Sequence, residues 1–93
     1  MPLNFEWDEN KAKSNLAKHG VSFEEAATVF GDPLSITIPD PAHSQIENRS
    51  VILGNSHDRK LLVVVHTDRG DNIRIISARR ASRSERINYE EDA

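Results

Sequence analysis

Arg79, Arg80, Arg83 and Arg86 crowd one short stretch of the chain, and Arg74 lies just before them. A guanidinium group presents paired N–H donors in a planar fork that matches a phosphate, and it keeps its charge at any working pH. Gathered where a strand runs into a helix, such donors suit a phosphodiester. They would stabilise the negative charge that grows as a 2′-hydroxyl attacks phosphorus. The displaced proton needs a carrier, for which His66, Tyr89 and a nearby glutamate are the candidates. His66 is open to two readings, a proton carrier or a half-buried imidazole bonded to a backbone carbonyl.

These side chains need a sheet to hold them. Residues 61–65 are apolar at every position, as in a strand covered on both faces, and 72–78 are rich in isoleucine. Between them Asp68-Arg69-Gly70-Asp71 supplies a turn in which Gly70 can take a positive φ, so the two runs fold back as an antiparallel hairpin. Strand alternation puts Ile73, Ile75 and Ser77 on one face, and Arg74 and Ile76 on the other. An unbroken strand then places Arg80, not Arg79, beside Arg74. Two further strands are expected, at 34–38 with Leu34, Ile36 and Ile38 facing the core, and at 49–55. A polar, proline-stiffened loop over 39–48 joins them.

Residues 4–7 read as an edge strand or an extended lead-in. Asp8 is an N-cap for a helix that runs to about His19, with Gly20 at the left-handed C-cap position. Ser22 and Glu25 form a capping box for a second helix, with Phe23, Ala26, Ala27 and Phe30 as its buried stripe and Gly31-Asp32-Pro33 as its end. A second box, Ser82 and Glu85, opens a short C-terminal helix lightly docked through Ile87. The order implies one α+β domain spanning 1–93: an N-terminal helical hairpin packed on a four-stranded antiparallel sheet, then a C-terminal helix.

The formal net charge of -3 hides an uneven distribution. Residues 1–48 carry three Lys/Arg against eight Asp/Glu, residues 49–89 carry nine against four, and residues 90–92 add three acids. A local cationic surface can therefore sit on an acidic molecule, because salt screens charges beyond about 8–10 Å. A plain solvated face of mixed charge is the alternative. The chain has no cysteine, which removes disulfides and thiolate metal sites and fits a reducing compartment. His43, His57 and His66 are scattered, and no nucleophile elbow, phosphate-binding glycine loop or calcium loop is present, so no metal or cofactor is expected. No stretch approaches the roughly 18 apolar residues that cross a bilayer, and the N-terminus lacks a signal pattern, so a cytoplasmic place with no membrane contact is expected.

Along the chain stand Phe5-Glu6-Trp7-Asp8-Glu9-Asn10-Lys11, the run from Lys18 through His19-Gly20-Val21 to Ala26, Asp32-Pro33, the run from Arg74 to Arg79, and the closing Glu85 to Tyr89. Together they resemble the BrnT family of toxins from type II toxin–antitoxin modules, over nearly the whole chain. The resemblance implies a RelE-like fold and a metal-independent ribonuclease that arrests translation. It also implies neutralisation by a BrnA-like ribbon-helix-helix antitoxin, through which alone the complex would reach operator DNA. The matching catalytic positions are His66, Arg74, Arg79, Arg80 and Tyr89, with Glu47, Arg49 and Arg83 as RNA contacts. A different class of reading is a non-catalytic module that binds the antitoxin and serves in repression of its own operon.

Overall fold

A computed structural model describes residues 3–40 and 48–92. Its elements are β1 (Asn4–Glu6), α1 (Glu9–His19), α2 (Phe23–Thr28), a 3-10 turn (Val29–Gly31), β2 (Ile36–Pro39), β3 (Ser50–Asn55), β4 (Leu61–Arg69), β5 (Asn72–Arg80) and α3 (Arg83–Asp92). Capping decides where the helices begin. Asp8 accepts the Lys11 amide at 3.0 Å, and Ser22 Oγ accepts the Glu25 amide at 3.0 Å. Gly20, at φ 70, turns its N–H back onto Leu16 at 2.8 Å, which a residue with a Cβ would do only under strain. The Ser22 box is only half formed, because the near-buried Glu25 carboxylate goes to the Ser56 hydroxyl at 2.7 Å.

The sheet corrects the expected four antiparallel strands. It has five, in the order β1-β5-β4-β3-β2, and β1 pairs parallel with β5 through Asn4↔Asn72, Phe5↔Ile73 and Glu6↔Arg74. The aromatic lead-in is thus a full member of a mixed sheet. One face carries α1, α2 and the 3-10 turn, with Phe23, Val29, Leu62, Val64, Ile75 and Ala78 at the centre of the core and Trp7 edge-on to Phe23 at 5.9 Å. On the other face α3 lies across one end. That two-sided cover accounts for the apolar run of β4: Leu62 and Val64 face the core, while Leu61 and Val63 are buried on the opposite side.

β1 stops at Glu6, and beyond it α1 takes over the β5 edge. Asn15, buried, donates Nδ2 to the Ala78 carbonyl at 2.8 Å and to the Val21 carbonyl at 3.0 Å, while its Oδ1 accepts the Ala78 amide at 3.1 Å. A carboxamide offers one donor side and one acceptor side, as a peptide group does, so this side chain stands in for a strand neighbour.

Within the hairpin, Gly70 (φ 61) and Asp71 form a two-residue loop closed by the Arg69↔Asn72 pair, shorter than the four-residue turn read from the sequence. His66 therefore sits inside β4 rather than at its end. Val65 pairs with Ser77 but His66 pairs with Ile75, which leaves Ile76 as an extra residue on β5. This bulge reverses the alternation beyond it. Ala78 joins Ile75 in the core in place of Ser77, and the side assigned to Arg80 is corrected with it.

β2 also departs from expectation. Ile36 and Ile38 pair with Leu53 and Val51 on the face away from α1 and α2, and Leu34 and Ile38 are 52% and 53% exposed. Ile87 is 46% exposed and not the anchor of α3; Tyr89, 7% exposed, holds that place. Among the described residues no helix is long and apolar enough to cross a membrane.

Candidate active site

The bulge at Ile76 sorts the arginines. Arg74 pairs with Thr67 and Arg79 with Val63, so both lie on the face turned away from α1 and α2, while Arg80 pairs with Leu62 on the core side. Five residues of extended chain still separate Arg74 from Arg79 by about 16 Å, too far for one phosphate to touch both. The arginines therefore form two groups at opposite ends of the sheet.

At the hairpin end lies a basin of about 280 Å³ lined by Lys11, Arg49, Thr67, Asp68, Arg69, Arg74 and Ile76. Lys11 reaches it from α1, Arg49 from the entry to β3, and Arg69 and Arg74 from the two strands of the hairpin. Four cations line the basin against the carboxylate of Asp68 and that of Glu6, which is bonded to Arg74, so a positive balance remains, and its focus is local, as screening requires.

Arg74 is fixed within it. Its Nη1 donates to Glu6 Oε2 at 2.8 Å, and Asn72 Nδ2 donates to Glu6 Oε1 at 3.0 Å. The Asn72 hydrogen bond, then that of Arg74, holds the Glu6 carboxyl below its ordinary value, so it stays an acceptor in mildly acidic solution. A carboxylate bonded to Arg74, with Arg69 also in its field, can take a proton while the cations of the basin hold an anion.

The family model described as the ribonuclease toxin BrnT of type II toxin–antitoxin systems matches residues 7–85. The chain belongs to the BrnT family. The crystal structure of the Brucella abortus ribonuclease toxin BrnT is similar, with a TM-score of 0.69 at 25% identity, covering 88% of this chain and 100% of that one. No curated protein sequence matches the chain.

In this BrnT chain the residues singled out from sequence do not converge. Of the nominated residues that the structure describes, only Arg74 and Arg49 line the basin. Arg79 is bidentate with Glu85, both N···O distances 2.8 Å, and Glu85 Oε1 also accepts the Ser82 amide at 2.7 Å. The Arg79 fork pushes the Glu85 carboxyl down to about 2, and Glu85 in turn raises Arg79. The pair is the latch that sets α3 against the strand end. Arg83 opens α3 and is exposed, away from the basin.

Tyr89 is a clasp. Its hydroxyl donates to Asp32 Oδ2 at 2.6 Å and accepts from Asn55 Nδ2 at 3.2 Å, and Asp32 Oδ2 takes the Asn55 amide at 2.8 Å as well. Burial and the Asp32 contact raise the Tyr89 hydroxyl. Burial pushes the Asp32 carboxyl up, but its hydrogen bonds from Tyr89, Asn55 and Leu34 prevail and hold it down. His66 is 8% exposed on the core side, edge-on to Phe30 at 4.8 Å, and neither ring nitrogen has a hydrogen-bond partner among the described residues. Burial lowers its basicity. Among the described residues the carbonyl bond expected of a structural imidazole is therefore missing too. Glu47 lies outside the described residues.

Glu6, Lys11 and Arg69 were not singled out from sequence as site residues. Glu6 becomes visible only once residues 4–6 are paired with β5, since register alone brings it opposite Arg74.

Proposed function

We propose that this BrnT-family chain is a ribonuclease that cleaves RNA by metal-independent phosphoryl transfer at the hairpin basin. The observation that carries this reading is the convergence of Lys11, Arg49, Arg69 and Arg74 around a pocket at whose rim Glu6 is bonded to Arg74. The scissile phosphate sits among the cations. The Glu6 carboxylate accepts the 2′-hydroxyl proton, the 2′-oxygen bonds to phosphorus, and the bond to the 5′-oxygen breaks, with that oxygen taking a proton from solvent. Arg74 and its cationic neighbours stabilise the charge on the five-coordinate phosphorus. His66, Arg80 and Tyr89 take no part, being held on the core side or at the far end. The products are a 2′,3′-cyclic phosphate and a 5′-hydroxyl.

The test is cleavage of RNA by the purified chain in EDTA, with the 3′ ends analysed. Cyclic phosphate ends, lost in Arg74→Ala, are the expected result. Equal cleavage by Arg74→Ala would overturn the site. In the cell such cleavage arrests translation in the cytoplasm, in the manner of a RelE-like toxin.

A second observation bears on the partner. Ile36, Ile38, Val51, Leu53 and Val63 floor a cleft of about 380 Å³ beside Glu85 and Asn88 of α3, on the same face as Arg74. Exposed apolar surface of this kind suits a protein partner. We infer that a BrnA-like ribbon-helix-helix antitoxin covers it and carries the complex to operator DNA. A chain that only bound the antitoxin, with no cleavage, would use this cleft and leave the basin idle; toxicity lost with Arg74→Ala while antitoxin binding persists separates the two.

A further inference from the structure

A second hollow, of about 320 Å³, runs along α1, and it shares Lys11 and Ile76 with the basin. Its wall includes Ser14, Lys18 and His19, and none of its lining residues is acidic. Residues 1–48 hold only three lysines against eight acids, yet two of those lysines, Lys11 and Lys18, flank this one hollow. Lys11, Ser14 and Lys18 follow one another at helical spacing, so they form a stripe on a single side of α1. The stripe starts at the point where the β5 edge passes from β1 to α1, beside the bulged Ile76.

We propose that an RNA strand leaving the basin turns over the β5 edge at Ile76 and continues along α1, with Lys18 and His19 holding a backbone phosphate beyond the cleaved bond. This rests on the basin being the site of cleavage. Seven residues of helix carry the stripe about 10 Å from Lys11 to Lys18. At about 3.4 Å of rise per stacked nucleotide, that is about three steps along a strand. Lys18 donates from a flexible stem and His19 through a ring N–H, which suits a sequence-independent grip on the backbone. The substrate class is therefore single-stranded RNA several nucleotides long, and not an isolated phosphodiester.

The experiment uses a fluorescent dodecanucleotide and a dinucleotide, both 2′-O-methylated so that no 2′-hydroxyl can attack. Binding to the full chain is followed by anisotropy between about 50 and 200 mM salt. Lys18→Ala is expected to weaken the dodecanucleotide and to reduce its salt slope by about 0.7, the share of one phosphate on a single strand, while dinucleotide binding is unchanged. On cleavable RNA the same variant raises KM and leaves kcat alone. An unaltered salt slope and KM in Lys18→Ala, with Arg74→Ala inactive, would overturn the track and keep the basin. Lost salt slope in Lys18→Ala with Arg74→Ala fully active would keep a phosphate contact on α1 but remove the cleavage site it was taken to extend. No binding of the dodecanucleotide by the parent chain overturns the track.

Discussion

Glu6 and Arg74 meet across the parallel pairing of β1 with β5, Oε2 to Nη1 at 2.8 Å, and Arg74 lines the basin. Each orients the other, so removing either has two effects on chemistry: a lost group and a loosened partner. Glu6→Gln keeps the shape and the contact to Asn72 but removes the proton acceptor. We expect it to lower kcat by about 100-fold while KM holds, the usual range for one general base. Because Asn72 and Arg74 hold Glu6 below its ordinary value, cleavage by the parent persists down to pH values below 4.5 before the carboxylate is lost. A rate-against-pH profile whose acid limb is untouched by Glu6→Gln would reassign the base.

Arg79 and Glu85 bind α3, and their effect is on stability. Glu85 stands at about 2 in the folded chain against 4.5 when unfolded, chiefly through Arg79. A depressed carboxyl stabilises the fold fully above its unfolded value, and the contribution is lost as pH falls from about 4.5 toward 2. Both groups are partly exposed, so solvent discounts the gain to about 1 kcal/mol or less. Urea unfolding of Glu85→Gln should show a flatter pH dependence in that window, with cleavage per folded molecule intact.

His66 acts in a higher pH window, with the same sign. Burial makes the folded ring bind a proton less readily than the unfolded one, so stability is full above pH 6.5 and declines as pH falls below it. His66→Leu fills the place without buried nitrogens. Thermal denaturation should find it more stable at pH 7 by about 1 kcal/mol, and insensitive to pH between about 5 and 7. Loss of cleavage in this variant, with its fold intact, would restore His66 as the proton carrier.

Tyr89→Phe removes the hydroxyl that joins α3 to Asp32 and Asn55. One buried, charge-assisted hydrogen bond is worth about 1–3 kcal/mol, so its melting temperature should fall by about 5–15 °C. Cleavage per folded molecule should match the parent, which a direct catalytic role for Tyr89 would forbid.

Much of the architecture was legible in local chemistry. Asp8, Gly20, Ser22, Ser82 and Glu85 mark helix ends through hydrogen bonds that span three or four residues, and each acts in the structure as its type suggests. The family could be read from separated motifs, and the full apolar run 61–65 announced a strand covered twice. What could not be read depends on partners distant in sequence. The parallel β1 pairing, the Asn15 bond to Ala78 and the Glu6 bond to Arg74 join residues more than sixty positions apart. The side taken by Arg79 hung on one extra residue in β5, which no alternation rule applied to an unbroken strand could supply.

That extra residue also divides β5 into two parts whose in-and-out phase is set separately. From Asn72 to Ile75 the strand answers to β1 and the basin; from Ser77 to Arg80 it answers to Asn15 and α3. A deletion of Ile76 would remove the bulge and leave Ile75 and Ala78 inward and Arg79 outward, because Ser77 and Ile75 already face consecutive residues of β4. A substitution at Ile76 would leave both phases alone. The chain can thus vary the chemistry of its hairpin end without re-registering the end that anchors its last helix.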